Sequence, residues 1–460
     1  MTRITRLLVA NRGEIAVRIV RAAFDEGIET VVVTSEADRD SLAARLADRS
    51  IVIGPASSSA SYLDVDRVIN AALLTGCDAV HPGYGFLSEQ PALAEACAAN
   101  GIVFVGPSVD SLRRGGDKTE SRNLAESLGI PVSSALEPDA DPQRTLELVR
   151  GLGYPVLVKA SAGGGGRGMS LVRRESELLA AIENGSREAQ EAFGDGRVFI
   201  ERFVERGRHV EVQILGDGAG GVIHLGERDC SVQRRYQKVV EEAPAVAVPA
   251  ELRSQLHASA VALGRELRYL GAGTVEFLVD VDRGSYFFLE INTRVQVEHP
   301  VTEAITGIDI VRQQLRLAQG APLPAQSEVV LTGHAIEVRL TSEDPRRGFM
   351  PTPGRVTEWV APQGTDVRVD THLYPGYVVP PYYDSLLAKI ITRGPDRAAA
   401  IATGIRALDH LRVAGIATNA PLLEAVLADP DFAGDGVTTR WLETTFMPAW
   451  TAASGEEPRG

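Results

Sequence analysis

Gly273-Thr-Val-Glu276-Phe-Leu-Val-Asp-Val-Asp-Arg283-Gly-Ser-Tyr-Phe-Phe-Leu-Glu290-Ile-Asn292 reads as two alternating strands joined by a polar turn. Period-2 alternation puts Thr274, Glu276 and Leu278 on one face of the first strand, and Phe288, Glu290 and Asn292 on one face of the second. With the turn centred on Arg283, Glu276 and Glu290 lie directly opposite one another. Two carboxylates at a cross-strand position repel. A divalent cation removes that objection, and an oxygen-only pair suits Mg²⁺ or Mn²⁺ bridging nucleotide phosphates. The plainer reading, two solvated surface glutamates, fits poorly with the apolar residues interleaved on both strands.

Immediately downstream, Arg294, Gln296 and Glu298 alternate and project together if the extended conformation persists. A guanidinium beside a carboxylate can hold a small oxyanion and remove its proton. His299 points the other way, precedes Pro300 and reads as structural. Upstream, the strand Pro155–Lys159 runs into Ala162-Gly-Gly-Gly-Gly-Arg-Gly168. Gly163, Gly164, Gly165, Gly166 and Gly168 allow close backbone approach and expose N–H donors to phosphate. GxxxxGK followed by Ser or Thr occurs nowhere in the chain, so this is no P-loop. With Lys159 just before it, the run predicts a mobile lid over a nucleotide.

Lysine is rare: Lys118, Lys159, Lys238 and Lys389 are the only four among 47 basic residues. Where arginine is the default, a retained lysine marks a need for a compact point charge. Three of the four sit in glycine-rich or strongly polar motifs. Lys238 lies in a stretch, 227–242, too densely polar for a core strand; the bland reading is an exposed charged loop, but the valines and the scarce lysine favour an anion pocket. Arg339 lies in an alternating strand, His334–Leu340, and adds a cation from the third region. Lys389 reads as a structural partner for Asp384.

At 460 residues two or three domains are expected. The first hundred-odd residues alternate strand and helix signals, with strands near 7–10, 30–34, 50–53, 79–80 and 103–105, implying a parallel sheet wrapped by helices. The predicted fold is α/β and α+β multidomain. An N-terminal parallel-sheet domain spans 1–114 and an α+β domain spans 115–320, with a lid insert at about 131–204. A C-terminal α+β domain spans 331–445, and 451–460 is read as a disordered tail. A net charge of −14 argues against nucleic acid as a partner. Cys77, Cys97 and Cys230 form neither a disulfide framework nor a zinc motif. No signal-peptide core and no long apolar span are visible, so a cytoplasmic protein is expected.

Taken together the motifs are specific. Ala10-Asn-Arg-Gly-Glu-Ile15, His81-Pro-Gly-Tyr-Gly-Phe-Leu-Ser-Glu89, Lys159 through Met169, Arg228-Asp-Cys-Ser231, Glu290 through Glu303 and Pro380-Pro-Tyr-Tyr-Asp-Ser385 recur in one family. Over nearly its whole length the chain resembles the biotin carboxylase component of biotin-dependent carboxylases, in the ATP-grasp superfamily. The resemblance implies that Lys118, Lys159, Glu201, His209 and Gln233, with the lid glycines, Met169 and Tyr236, contact ATP. Glu276 and Glu290 would hold a pair of Mg²⁺ or Mn²⁺ ions, with Asn292 beside them. Lys238, Arg294, Gln296 and the backbone of Val297 would form a bicarbonate pocket. Glu298 would deprotonate bicarbonate, and Arg339 would stabilise the oxyanion that forms on biotin.

The chain departs from the family pattern at Tyr236, where relatives carry His, at Arg440, at Ala162, and at Asp25 and Thr365. Arg21 and Arg368 match the family's dimer interface, so a homodimer is expected. No methionine adjoins a lysine, so this chain lacks a biotin attachment motif. A separate biotinylated carrier protein and a carboxyltransferase are the implied partners. Two alternatives stand beside this reading: another ATP-grasp carboxylate–amine ligase, and a catalytically altered homologue acting as a binding or regulatory subunit.

Overall fold

The computed structural model describes residues 3–133, 135–160, 169–193, 196–434 and 436–453. Ala162 and the lid glycines Gly163, Gly164, Gly165, Gly166 and Gly168 lie outside the described residues.

Five parallel strands open the chain, β1 (Arg6–Val9), β2 (Glu29–Ser35), β3 (Arg49–Gly54), β4 (Ala79–His81) and β5 (Val103–Phe104), in the order β3-β2-β1-β4-β5. Leu7, Leu8 and Val9 are buried on both faces, as the continuous apolar run requires of a parallel strand. The order reverses between β1 and β4, the place where such sheets present their loops to ligands. Asn11 ties the two loops there, donating through Nδ2 to the carbonyls of Pro82 at 2.6 Å and Tyr84 at 2.7 Å.

A small four-stranded sheet follows: β6 (Ala135–Leu136), β7 (Val156–Ala160), β8 (Met169–Val172) and β9 (Val198–Arg202). It packs with the helices Pro142–Leu152 and Glu175–Phe193 around Val149, Val156, Val158, Leu178 and Ile200. Met169 pairs with Lys159 at the open end of this sheet.

The centre is one antiparallel sheet that crosses from the second region into the third. It runs β14 (Ser285–Asn292), β13 (Leu270–Asp280), β10 (Gly207–Asp217), β11 (Val222–Arg234), β12 (Gln237–Ala243), β15 (His334–Thr341), then the strands Leu386–Gly394 and Val367–Thr371. The stretch 227–242 is not an exposed loop but the β11–β12 hairpin in mid-sheet, and its turn end, with Lys238, lines a cavity, where the pocket reading put it. Its two turn residues, Arg235 and Tyr236, both have positive φ, the geometry that matches strand twist in a two-residue hairpin. Away from its turn the charged side chains are buried, and most have a charged partner: Glu227 takes Arg253 and His257 of the helix Ala250–Glu266, Asp229 takes Arg208, and Glu242 takes His334 and Arg397. The tail also differs from expectation: Met447–Ala453 is helical, so Thr451 belongs to a helix, while 454–460 lie outside the described residues. Among the described residues no helix is long and apolar enough to cross a membrane.

Glu242 joins β12 to β15 and to the helix Arg397–His410. It accepts from His334 at 2.8 Å and from Arg397 at 2.6 and 3.1 Å. Burial pushes its carboxyl up, but His334 and Arg397 more than offset this and lower it from 4.5 to about 2. A carboxyl depressed in the folded state stabilises above its unfolded pKa and loses that stabilisation as pH falls through the folded value. We expect Glu242→Gln to be less stable than the parent by about 3 kcal/mol at neutral pH. Denaturation midpoints measured against pH should converge between pH 4.5 and about 2.

Candidate active site

A cavity of about 1230 Å³ lies between the open ends of the N-terminal sheet, the small sheet and the central sheet. Every described candidate whose side chain is placed lines it: Lys118, Lys159, Glu201, His209, Gln233, Tyr236, Lys238, Glu276, Glu290, Asn292, Arg294, Gln296, Glu298 and Arg339, together with Val297. For Met169 only the backbone position, beside Lys159, is described.

The β13–β14 hairpin sets Glu276 directly across from Glu290, and Thr274 across from Asn292. A bulge between them makes Phe277, not Leu278, the partner of Phe288 and leaves Leu289 unmatched. This overturns one detail of the alternation. Phe288 does not share a face with Glu290 and Asn292; it is buried in the core with Phe277, while Phe287 and Leu289 line the cavity. The residues after Asn292 also leave the extended conformation. Arg294, Gln296 and Glu298 sit in a bent loop and turn, and they converge through that bend rather than through alternation.

Glu276 is buried and takes Asn292 Nδ2 at 2.9 Å, Gln296 Nε2 at 2.7 Å and Lys238 Nζ at 3.0 Å, with His209 Nε2 2.8 Å from its second oxygen. Burial alone would raise its carboxyl, but Lys238 and His209 hold it well below the usual carboxylate range. Glu290 is half-buried and 3.4 Å from Lys118, a largely exposed cation at the start of the helix Lys118–Ser127. An exposed pair of this kind adds little stability. It leaves Lys118 available to a phosphate. Lys159 is held by Glu201 at 2.5 Å across β7 and β9.

The deepest cluster centres on Lys238. Its ammonium contacts Glu211 at 2.5 Å, Glu298 at 2.5 Å and Glu276 at 3.0 Å. Despite burial, which lowers it, these carboxylates hold Lys238 well above its ordinary pKa. Glu298 Oε1 faces Lys238, and its Oε2 accepts from Arg339 Nη2 at 3.0 Å. Burial would raise Glu298, yet Lys238 and Arg339 press it well below the usual range, so it is ionised. Arg294 is aimed by Glu89 Oε2 at 2.9 Å and by Asn292 Oδ1 at 2.9 Å.

The sequence reading missed Glu89, Glu211 and the function of Arg228. Glu89 closes the His81-Pro-Gly-Tyr loop, and its other oxygen accepts from the Thr293 amide. Glu211 is fully buried beneath Lys238. His209, Glu211 and Gln213 alternate with valines in β10, a polar period-2 stripe that was the available signal. Lys389 was misassigned. Its buried ammonium contacts the Val297 carbonyl at 2.9 Å and Glu14 at 3.1 Å, whereas Asp384 caps its own loop by accepting from the Leu386 amide. His299 is structural as expected: buried, starting the helix His299–Thr306, with Nδ1 2.7 Å from the Gln296 carbonyl. Cys230 is buried, and burial pushes its thiol well up, which excludes a thiolate nucleophile.

Facing carboxylates, lysines on two different sheets and a carboxylate clasped by two cations are the furniture of an enzyme that activates a small acid with a nucleotide. Family-level matches agree on that class: residues 117–326 match the ATP-binding domain of the carbamoyl-phosphate synthase large chain. Residues 3–112 and 337–444 match the biotin carboxylase N-terminal and C-terminal domains. The chain is 47% identical over 440 residues to a biotin carboxylase of Nostoc sp., covering 95% of this chain and 98% of the relative. It is 49% identical to the biotin carboxylase of Pseudomonas aeruginosa, with the same coverage. It superposes with a TM-score of 0.84 at 42% identity on the biotin carboxylase domain of the Hydrogenobacter thermophilus 2-oxoglutarate carboxylase, covering 96% and 98% of the two chains. This chain therefore belongs to the biotin carboxylase family, ligases that carboxylate biotin at the expense of ATP. The carboxylate–amine ligase reading falls with that assignment.

Proposed function

We propose that this chain carboxylates biotin borne on a separate carrier protein, as the first half-reaction of an acyl-CoA carboxylase in the cytoplasm. The observation that carries the proposal is Glu298, clasped between Lys238 and Arg339 in the same cavity as the Glu276–Glu290 pair. The related Hydrogenobacter domain was solved as a dimer with MgADP, ADP and bicarbonate.

Bicarbonate offers oxygens that compete for the donors now occupied by Glu298. Lys238, Arg294, Gln296 and the Val297 backbone bind it, and Glu298, relieved of part of its cationic clasp, becomes basic enough to take its proton. The freed bicarbonate oxygen attacks the γ-phosphorus of ATP, ADP leaves, and carboxyphosphate forms; its C–O bond then breaks to give carbon dioxide and inorganic phosphate, the phosphate takes the ureido N–H proton of biotin, and the ureido nitrogen adds to carbon dioxide. Lys118 and Lys159, with Glu201, His209, Gln233 and the lid segment, hold the nucleotide. The oxygen donors Glu276, Glu290 and Asn292 suit Mg²⁺ or Mn²⁺, which when bound neutralises charge on the phosphate oxygens. The protein's contribution is positioning and charge neutralisation. Arg339 stabilises the oxyanion that develops on biotin. A homodimer, a biotinylated carrier and a carboxyltransferase complete the assembly.

Phosphate release measured with and without bicarbonate, and with free biotin added, tests the proposal. Release should require bicarbonate and rise with biotin. No release under any of these conditions would instead support a binding or regulatory subunit, the reading prompted by Tyr236 and Arg440. Arg339→Gln should lower carboxybiotin formation about a hundredfold, the usual loss of one charge-stabilising donor. Its bicarbonate-dependent phosphate release without biotin should fall much less. Equal losses in both assays would remove the biotin role from Arg339.

A further inference from the structure

Behind Arg339 lies a second pair of carboxylates on facing strands. Glu241 of β12 and Glu337 of β15 are directly opposite in the sheet register, and both side chains are fully buried. Glu241 Oε1 accepts from Arg339 Nε at 2.6 Å, but among the described residues its Oε2 and both oxygens of Glu337 have no hydrogen-bond partner. Facing carboxylates repel, and an unpartnered buried carboxylate is unfavourable as an anion.

The surroundings do not supply the missing charge. Lys389, across the sheet from Arg339, gives its ammonium to the Val297 carbonyl and to Glu14, with Asp370 3.9 Å away. Arg339, on the same strand as Glu337, is divided between Glu241 and Glu298. Lys238 is taken by Glu211, Glu276 and Glu298. From the helix packed over this face, His299 is buried and pushed far below its ordinary pKa, hence neutral, and Glu303 is taken by Arg18 and Arg368.

We propose that Glu337 is a positioning residue for Arg339: the Glu241–Glu337 pair carries one proton, leaving a single negative charge on the inner side of the guanidinium. With one inner and one outer anion, Arg339 stays shared between Glu241 and Glu298 and reaches the reacting oxyanion. With both inner carboxylates ionised, the guanidinium is drawn inward and away from the cavity. Burial raises both carboxyls, Glu241 to about 7 and Glu337 well above its ordinary value, in keeping with one retained proton. The inference rests on the biotin-side role proposed for Arg339.

The test is the pH profile of kcat for carboxylation of free biotin, compared between the parent enzyme and Glu337→Gln. Loss of the shared proton should give the parent an alkaline limb. The amide of the variant cannot ionise, so there that limb should move up by about one pH unit or more, the separation at which coupled carboxyls titrate distinctly. A limb shared by both forms, or none in the parent, overturns the inference. Infrared spectra supply a second readout that needs no turnover. The parent should show the C=O stretch of a buried protonated carboxyl, vanishing at the pH of the alkaline limb; a parent without that band also overturns it. Should the variant fail to fold, the parent band alone decides. A parent enzyme that cannot carboxylate biotin at neutral pH sinks the proposed function instead, and leaves the infrared result to judge the proton.

Discussion

Glu298→Gln should abolish bicarbonate-dependent phosphate release while leaving ATP binding intact. The amide keeps the shape of the carboxylate and can still accept one hydrogen bond, so packing around it is preserved. It cannot take a proton. Lys238 retains Glu211 and Glu276, and Arg339 retains Glu241, so neither cation is left unpaired in the variant. The loss is therefore chemical, and removal of a positioned general base costs about 10²- to 10⁴-fold in rate. Nucleotide affinity should not follow, because Lys118 and Lys159 have their own partners, Glu290 and Glu201. Calorimetric titration with ATP beside a phosphate-release assay separates the two effects. A variant that no longer binds ATP, or one that still turns over with bicarbonate, removes Glu298 from the proton-transfer role.

The parts of this site that local sequence could reveal are those whose geometry is itself local. Glu276 and Glu290 are equidistant from Arg283, and strand alternation alone placed them face to face; the register agrees. The bulge at Leu289 was not legible, because an extra residue on one strand leaves no mark in an alternating apolar run. It sent Phe288 into the core and Phe287 to the cavity. The N-terminal parallel sheet was legible from uninterrupted apolar runs such as Leu7–Ala10. The β11–β12 hairpin was not, since its polar density argues for solvent unless the partners are known. Those partners come from β10, from β13, from the helix Ala250–Glu266, from the loop and helix after β14 and from the third region. Lys389 failed for the same reason: Asp384 is near in sequence, whereas Glu14 and the Val297 carbonyl are near only in the fold. Period-2 patterns say which way a residue faces, not which distant charge it meets.

Arg228 is where that unseen pairing should have its largest effect on stability. Its guanidinium is fully buried and donates to Glu211 at 2.5 Å, Gln213 at 2.8 Å, Thr302 at 3.0 Å, Thr274 at 3.2 Å and Gln296 at 2.9 Å. Replacing it by methionine keeps the volume of the stem but strands Glu211, whose fully buried carboxylate then faces Lys238 alone. Breaking a buried pair from one side costs about 3–5 kcal/mol, and Lys238, already shared with Glu276 and Glu298, cannot by itself compensate the charge that remains. A melting temperature lower by roughly 10 °C is the expected reading for a protein with domains of this size. The double change Arg228→Met with Glu211→Gln removes the stranded charge, so it should recover part of that loss, a coupling that sums of single changes do not give. The same double change leaves Gln296 without its donor on the inner side and Lys238 without its deepest anion, so stability should return while bicarbonate-dependent turnover does not. If the double variant is no more stable than Arg228→Met alone, the guanidinium acts through packing rather than charge. The buried network beneath Lys238 would then have no part in holding the bicarbonate side of the cavity in place.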